Sequence, residues 1–99
     1  MDKKHCIYMH RNKINGKVYI GQTLQNNPNN RWQNGHGYIK QSKFFSDIIK
    51  YGWLNFEHSI LERDLTQQEA NEREDFWIKH FDSCKNGYNT ITENNRTEI

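Results

Sequence analysis

Residues 6–22, with the sequence CIYMHRNKINGKVYIGQ, decide how the rest of this chain is organised. Residues 6–10 and 17–22 each alternate between two kinds of side chain, which is the period of a β-strand with two different faces. The loop between these segments contains Asn15-Gly16, the strongest short signal for a β-hairpin. The stretch therefore predicts a pair of antiparallel strands.

The length of the hairpin loop determines which side chains share a face. If residues 15–16 form a two-residue turn, Asn12 pairs with Tyr19, and Tyr8 lies on the same face as Tyr19. A slip of one residue would put the two tyrosines on opposite faces. A tyrosine in a strand usually packs, with its hydroxyl on a nearby acceptor. Two tyrosines beside Lys17 are also compatible with proton transfer, because a nearby cation favours ionisation of a phenol whose ordinary pKa is about 10.

The elements after the hairpin are predicted from periodicity and end signals. In chain order they are a loop over residues 25–30, a short helical turn from Arg31, a loop over residues 34–38, a helix capped by Ser42 and stopped at Tyr51-Gly52, a strand over residues 56–61 and a helix from Thr66 to about Phe81. The last helix has the strongest signal, since Thr66 and Glu69 have the spacing of a capping box. Together these elements predict an α+β fold with a small three-stranded antiparallel sheet flanked by helices. One domain is expected over residues 1–91, and a disordered tail over residues 92–99.

Composition restricts the classes of function. The chain has 99 residues, enough for one modest core, and its aromatic fraction of 13% argues against the disorder that a mean hydropathy of −1.14 would otherwise suggest. A net charge of +2 does not by itself indicate a nucleic-acid-binding protein. No apolar run reaches the roughly 18 residues of a membrane span. Cys6 and Cys84 are expected to be reduced thiols, and the chain to be cytoplasmic.

Glu74 is the unusual residue of the last helix. At about 100° per residue it lies in the middle of an apolar arc formed by Ala70, Trp77, Ile78 and Phe81. A carboxylate buried in such an arc must neutralise, pair or coordinate a metal. Two interpretations stay open: a salt bridge to a core-facing arginine or a rim position that reaches water, and a metal ligand or general acid–base group.

Other polar residues allow more than one interpretation when each is taken alone. Arg31 is either an ordinary surface residue or a guanidinium that binds phosphate oxygens. His36, which lies between two glycines, is either a loop residue or a general base. A zinc site would have to use scattered candidates with no Cys-x-x-Cys pair, namely His5, Cys6, His10, His80 and Cys84, and this signal is weak.

Taken in chain order, the motifs resemble the GIY-YIG nuclease family, and within it the phage and mobile-element homing endonucleases. The similar stretches are residues 6–8, 15–22, 31–32, 50–52, 55–57, 72–78 and 86–89, so the resemblance covers about residues 6–89. Cys6 departs from the glycine that gives the family its name. That position contributes backbone rather than side-chain chemistry, so the departure puts little in doubt.

The resemblance implies the GIY-YIG fold and a set of site residues. The positions implied to be catalytic are Tyr8, Lys17, Tyr19, Arg31, His36 and Glu74. Lys17, Arg31 and Asn89 are implied to contact the substrate, and Glu74 to hold one Mg²⁺ or Mn²⁺ ion.

The activity implied by the resemblance is metal-dependent hydrolysis of DNA phosphodiester bonds, leaving 5′-phosphate and 3′-hydroxyl ends. DNA is the expected partner, and a separate DNA-targeting domain or protein is expected to select the site. Two alternatives remain: a catalytically inactive DNA-binding module of the same fold, and a structural α+β domain whose polar residues coincide by chance.

Overall fold

A computed structural model of the chain describes residues 3–90. Its three strands form one antiparallel sheet in the order β2-β1-β3, with β1 at His5–Asn12, β2 at Val18–Leu24 and β3 at Phe56–Leu65. The helices are α1 (Asn29–Trp32), α2 (Ser42–Tyr51), α3 (Gln67–Phe81) and α4 (Ser83–Asn86), and two 3₁₀ segments cover Gln33–Tyr38 and Trp53–Asn55. The predicted α+β class, with a three-stranded antiparallel sheet flanked by helices, is confirmed. The tail predicted over residues 92–99 lies outside the described residues.

The hairpin forms, but its predicted two-residue turn is wrong. His10 pairs with Tyr19, and residues 13–17 connect the strands. Asn12 explains the longer loop, because its side-chain Oδ1 accepts a hydrogen bond from the backbone N–H of Ile14 at 2.8 Å and so turns the chain early. The register differs from the predicted one by two residues, which preserves side-chain parity. Tyr8 and Tyr19 therefore share a face of the sheet, as expected.

The sheet separates two packed clusters. The face that carries Tyr8 and Tyr19 is covered by an aromatic cluster, in which the buried residues are Tyr8, Tyr19, Tyr38, Phe44, Ile48, Phe56 and Tyr88. The opposite face packs against α3 through a smaller aliphatic cluster of Ile7, Val18, Ile20, Ala70 and Ile78. Aromatic side chains thus supply most of the core of this polar chain, on the side of the sheet that also carries the motif tyrosines.

The ends of the other elements agree with the sequence in part. The capping box of α3 is present, with Thr66 Oγ1 accepting from the Glu69 N–H at 3.1 Å. Ser42 was predicted as an N-cap but is already the first helical residue of α2, and the cap position is occupied by Gln41. β3 is four residues longer than predicted, because its charged end pairs past a bulge with the start of β1, where Ile7 faces Glu62. Within residues 3–90, no helix has the length and apolarity needed to cross a membrane.

Candidate active site

Three tyrosines from three different elements surround Arg31. Tyr8 comes from β1, Tyr19 from β2, and Tyr38 from the end of the 3₁₀ segment after α1. The Tyr38 and Tyr8 hydroxyl oxygens are hydrogen-bonded at 2.8 Å, and the ring centroids of Tyr38 and Tyr19 are 5.1 Å apart. The Arg31 guanidinium carbon lies 4.4 Å from the centroid of the Tyr38 ring, and Tyr19 shares a hydrogen bond with the guanidinium. The structure therefore brings together three of the residues singled out in the sequence.

Arg31 is fixed by a kink in the segment that follows it. The loop predicted over residues 34–38 is a 3₁₀ segment broken at Asn34 and Gly35, which adopt positive φ angles of 53° and 100°. The kink returns the chain so that the Gly37 carbonyl accepts a hydrogen bond from Arg31 Nη1 at 2.6 Å. A methyl group at Gly37 would overlap the Arg31 carbonyl, so this close approach requires glycine.

The electrostatic surroundings keep Arg31 charged. Burial alone would lower the pKa of the guanidinium, but the hydroxyl groups of Tyr8, Tyr38 and Tyr19 outweigh burial, and the pKa is raised. The stacking of the guanidinium on the Tyr38 ring adds a cation–π attraction. A permanently charged, oriented guanidinium is suited to bind a phosphate oxygen.

Gly21 has a steric role that the motif alone does not explain. It lies opposite Tyr8 in the register of β1 and β2, and the Tyr8 ring passes directly over it. A methyl group at this position would overlap the phenol oxygen and the ring carbon that bears it. The glycine is therefore required for the close approach of the Tyr8 ring to the backbone of β2.

Glu74 is buried on the apolar face of α3, as the helical wheel predicted, with 3% of its surface exposed. The side-chain amide of Gln22 donates to Glu74 Oε1 at 2.9 Å and to Asn71 Oδ1 at 2.7 Å. A hydrogen bond from the Gln22 side chain thus fixes the position of the carboxylate relative to β2. The Asn71 side-chain oxygen shares the Gln22 amide with Glu74 and also accepts from the Gln67 amide at 3.1 Å.

Glu74 and the tyrosines approach the same part of the edge strand from opposite faces of the sheet. The Tyr8 ring lies over Gly21 on one face, and Glu74 is bonded to the next residue, Gln22, on the other. Because β2 lies at one end of the described sheet, both faces meet along its outer edge.

The donor set at Glu74 fits a hard divalent cation. Mg²⁺ prefers oxygen ligands and usually keeps several waters while one or two carboxylates hold it. Among residues 3–90 no group of three or more His, Cys, Asp or Glu side chains is arranged to hold a metal. A cation at Glu74 would therefore complete its coordination with water and substrate oxygens, as a one-carboxylate site requires.

The other three residues proposed from the sequence do not belong to the group of tyrosines around Arg31. Lys17 and His36 are both exposed. Asn89 is completely buried, and its side-chain amide pairs with the backbone of Ile20, accepting from the N–H at 2.9 Å and donating to the carbonyl at 2.8 Å. Asn89 thus acts like a neighbouring strand and positions residues 19–21, whereas its contact with substrate stays a prediction.

A chain of hydrogen bonds behind Tyr8 was not anticipated from the sequence. His10 Nε2 is 2.9 Å from the Tyr38 hydroxyl, and His10 Nδ1 is 2.8 Å from His58 Nδ1. The alternation of side chains along β1 could have placed His10 on the same face as Tyr8, since one residue separates them. The pairing of His10 with His58 depends on the register between β1 and β3, which no sequence signal specifies.

This three-stranded sheet flanked by helices is the fold of a family of nuclease domains. The chain belongs to the GIY-YIG family, since the sequence profile of the GIY-YIG catalytic domain matches residues 4–89.

Relatives of known identity agree with this assignment. The chain is 37% identical over 95 residues to intron-associated endonuclease 1 of Enterobacteria phage T4, and the match covers 87% of the chain but only 36% of that protein. The catalytic domain of the homing endonuclease I-TevI superposes with a TM-score of 0.72 at 34% identity, covering 87% of this chain and 97% of that one. A glutamate-to-alanine mutant of the I-TevI catalytic domain gives a TM-score of 0.71, covering 87% and 92% of the two chains.

Proposed function

We propose that this domain is a metal-dependent endonuclease that hydrolyses DNA phosphodiester bonds and leaves 5′-phosphate and 3′-hydroxyl ends. The observation that carries the proposal is the charged guanidinium of Arg31, held among tyrosine hydroxyls, with Tyr8 packed over Gly21 and Glu74 bonded to the next residue of the same strand, Gln22. Attack of water on phosphorus and departure of the 3′-oxygen would produce these ends. Such a reaction requires a positioned water, charge neutralisation and assistance to the leaving oxygen.

Arg31 would bind a non-bridging phosphate oxygen. Its Nη1 is occupied by the Gly37 carbonyl, which orients the plane of the guanidinium, and a guanidinium has further N–H donors for a phosphate. Because these donors are held in place before the reaction, they stabilise the negative charge that develops on phosphorus without reorganisation.

Tyr8 would position the attacking water and receive its proton. Its ring is fixed against Gly21, and its hydroxyl is hydrogen-bonded to Tyr38, so that the phenol oxygen has a defined location. Tyr19, which contacts the guanidinium, would hold the phosphate or an ordered water. The surrounding cluster excludes bulk solvent from the protein side of this site, which strengthens these polar interactions.

Glu74 would hold a single Mg²⁺ or Mn²⁺ ion. When bound, a divalent cation supplies positive charge that neutralises the phosphate and favours departure of the leaving oxygen. Gln22 orients the carboxylate through its side-chain amide, as partners of metal-binding carboxylates commonly do.

The exposed residues and the charge of the chain suggest weak binding to DNA by this domain alone. Lys17 and His36 are accessible to a substrate backbone, and Asn89 would act by positioning β2. With a net charge of only +2, few phosphates can be neutralised, so binding should be weak and sensitive to salt. The T4 endonuclease is much longer than the matched region, so we propose that a separate segment or protein selects the target.

The proposal is tested by incubating the chain with supercoiled plasmid DNA and Mg²⁺, with and without EDTA. We expect nicked and then linear products with Mg²⁺ and none with EDTA. DNA ligase should reseal the nicks without prior end treatment, since it requires a 5′-phosphate and a 3′-hydroxyl. Binding of DNA without cleavage in Mg²⁺ and Mn²⁺ would instead identify an inactive DNA-binding module.

Gly21→Ala is expected to reduce cleavage by roughly a hundredfold with little change in secondary structure. The added methyl group must displace the buried Tyr8 ring, and a misplacement of about 1 Å can cost about 100-fold in rate. Single-turnover cleavage and circular dichroism of this variant measure the two effects. Thr23→Ala on the same strand is the matched control, and wild-type rates for Gly21→Ala would contradict a fixed position for Tyr8.

A further inference from the structure

The hydrogen-bonded chain behind Tyr8 runs from the proposed site to the opposite end of the sheet face. Its links are Tyr8 to Tyr38 at 2.8 Å, Tyr38 to His10 at 2.9 Å and His10 to His58 at 2.8 Å. The first three of these side chains are buried, whereas His58 is exposed and stacks on the Trp53 ring at 4.2 Å. Every link joins two groups that can each donate or accept a hydrogen bond.

We propose that Tyr38, His10 and His58 form a relay that carries the proton received by Tyr8 from the attacking water to the protein surface. The proposal rests on the nuclease function proposed above and assigns positioning roles to three residues that do not touch substrate. A buried tyrosine that receives a proton in each turnover must pass one on, and the chain provides a continuous route to a group in contact with solvent.

The transfers balance when each member gives up one proton as it takes another. In the structure the Tyr38 hydroxyl donates to the Tyr8 oxygen, so the relay starts when the Tyr38 O–H rotates to donate to His10 Nε2. The Tyr8 hydroxyl then donates to the Tyr38 oxygen, and the His10 Nδ1–H donates to His58 Nδ1. When water gives its proton to Tyr8 oxygen, each of these three protons moves to its acceptor. The water becomes hydroxide, His10 exchanges one neutral tautomer for the other, and His58 becomes the imidazolium that releases its proton to solvent.

The charges around the two histidines suit these different roles. Burial, together with His58 and Arg31, holds the pKa of His10 well below its usual range, so His10 remains neutral and can act only by exchanging tautomers. Burial and Lys13 lower the pKa of His58, while a hydrogen bond with the Trp53 backbone opposes them. His58 is thus neutral near pH 7 and able to accept a proton. Because the pKa of His58 is lowered, cleavage should decline only at a pH below the ordinary histidine pKa of about 6.5, where protonated His58 cannot accept another proton.

The test is the pH dependence of single-turnover plasmid cleavage in Mg²⁺ from pH 5 to 9. Tyr38→Phe removes the link between Tyr8 and His10 but keeps the ring, and His58→Gln keeps a hydrogen-bonding side chain that cannot take up a proton. Both variants are expected to cut roughly 10- to 100-fold more slowly at pH 7.5, with unchanged DNA affinity. Their cleavage rates should also no longer decline at acid pH. His80→Gln, an exposed histidine at the end of α3, is the control.

Nuclear magnetic resonance gives a readout that does not depend on activity. In ¹⁵N-labelled protein, Tyr38→Phe should change the balance of His10 tautomers, since it removes the partner of Nε2. A wild-type pH profile in His58→Gln, combined with loss of cleavage in Glu74→Gln, would overturn the relay alone. An absence of cleavage by the wild-type chain would overturn the proposed function and the relay with it.

Discussion

Arg31→Ala is expected to lower the single-turnover rate of DNA cleavage by roughly 10³-fold while the fold is retained. Loss of one preorganised donor to a developing oxyanion typically costs 10²–10³-fold, and a guanidinium also contributes a full positive charge. The side chain is half-buried and rests on the Tyr38 ring, so its removal should cost only modest stability. Plasmid cleavage and thermal unfolding measure the two effects separately.

Arg31→Lys separates charge from geometry. An ammonium keeps the charge but lacks the planar donors that allow one group to bond the Gly37 carbonyl and a phosphate together. We therefore expect this variant to lie between wild type and Arg31→Ala in rate. Arg63→Ala, an exposed arginine on β3, should cleave like wild type. Equal rates for Arg31→Ala and Arg63→Ala would remove Arg31 from the proposed site.

Glu74→Gln is expected to abolish detectable Mg²⁺-dependent cleavage, a loss on the order of 10³-fold or more. Glutamine has nearly the same shape but no charge, so it cannot replace the proposed metal ligand. Stability should be unchanged or higher, because a buried carboxylate that loses hydration opposes folding. Mn²⁺ binding, followed by electron paramagnetic resonance, should weaken in parallel with activity.

The matched control for this prediction is Glu72→Gln on the exposed side of the same helix. It removes the same charge from α3 and should change neither Mn²⁺ binding nor cleavage. If Glu74→Gln retained both properties, the metal-binding role of Glu74 would be wrong. If it lost activity through unfolding, its melting temperature would fall below that of the control.

The sequence predicted the hairpin and its faces more reliably than its turn. Asn15-Gly16 correctly indicated a connection between two antiparallel strands, but the side chain of Asn12 closes the turn earlier than a two-residue loop would. The prediction that Tyr8 and Tyr19 share a face is still correct, because the predicted register differs from the observed one by an even number of residues. An odd error would have separated them, and nothing in local propensity distinguishes the two cases.

Glu74 was recognisable because helical periodicity is regular over many residues. A single carboxylate in an apolar arc is conspicuous on a helical wheel, and the structure confirms its burial. Gly21 was part of a recognisable motif, but only the structure shows that glycine is required there, because the Tyr8 ring lies directly over it. His58 was unpredictable, since its partner depends on the long-range pairing of β1 with β3.

The central claim is that residues from both faces of the sheet act as one site at the edge of β2. The most direct test is a parallel measurement of single-turnover cleavage of supercoiled plasmid in Mg²⁺ by Tyr8→Phe, Tyr19→Phe, Arg31→Ala and Glu74→Gln, with His80→Gln as the control. All four variants are expected to remain folded and to lose about 10-fold to 10³-fold or more in rate, while His80→Gln retains the wild-type rate. Unchanged Mg²⁺-dependent cleavage in both Arg31→Ala and Glu74→Gln would contradict a single site at the edge of β2.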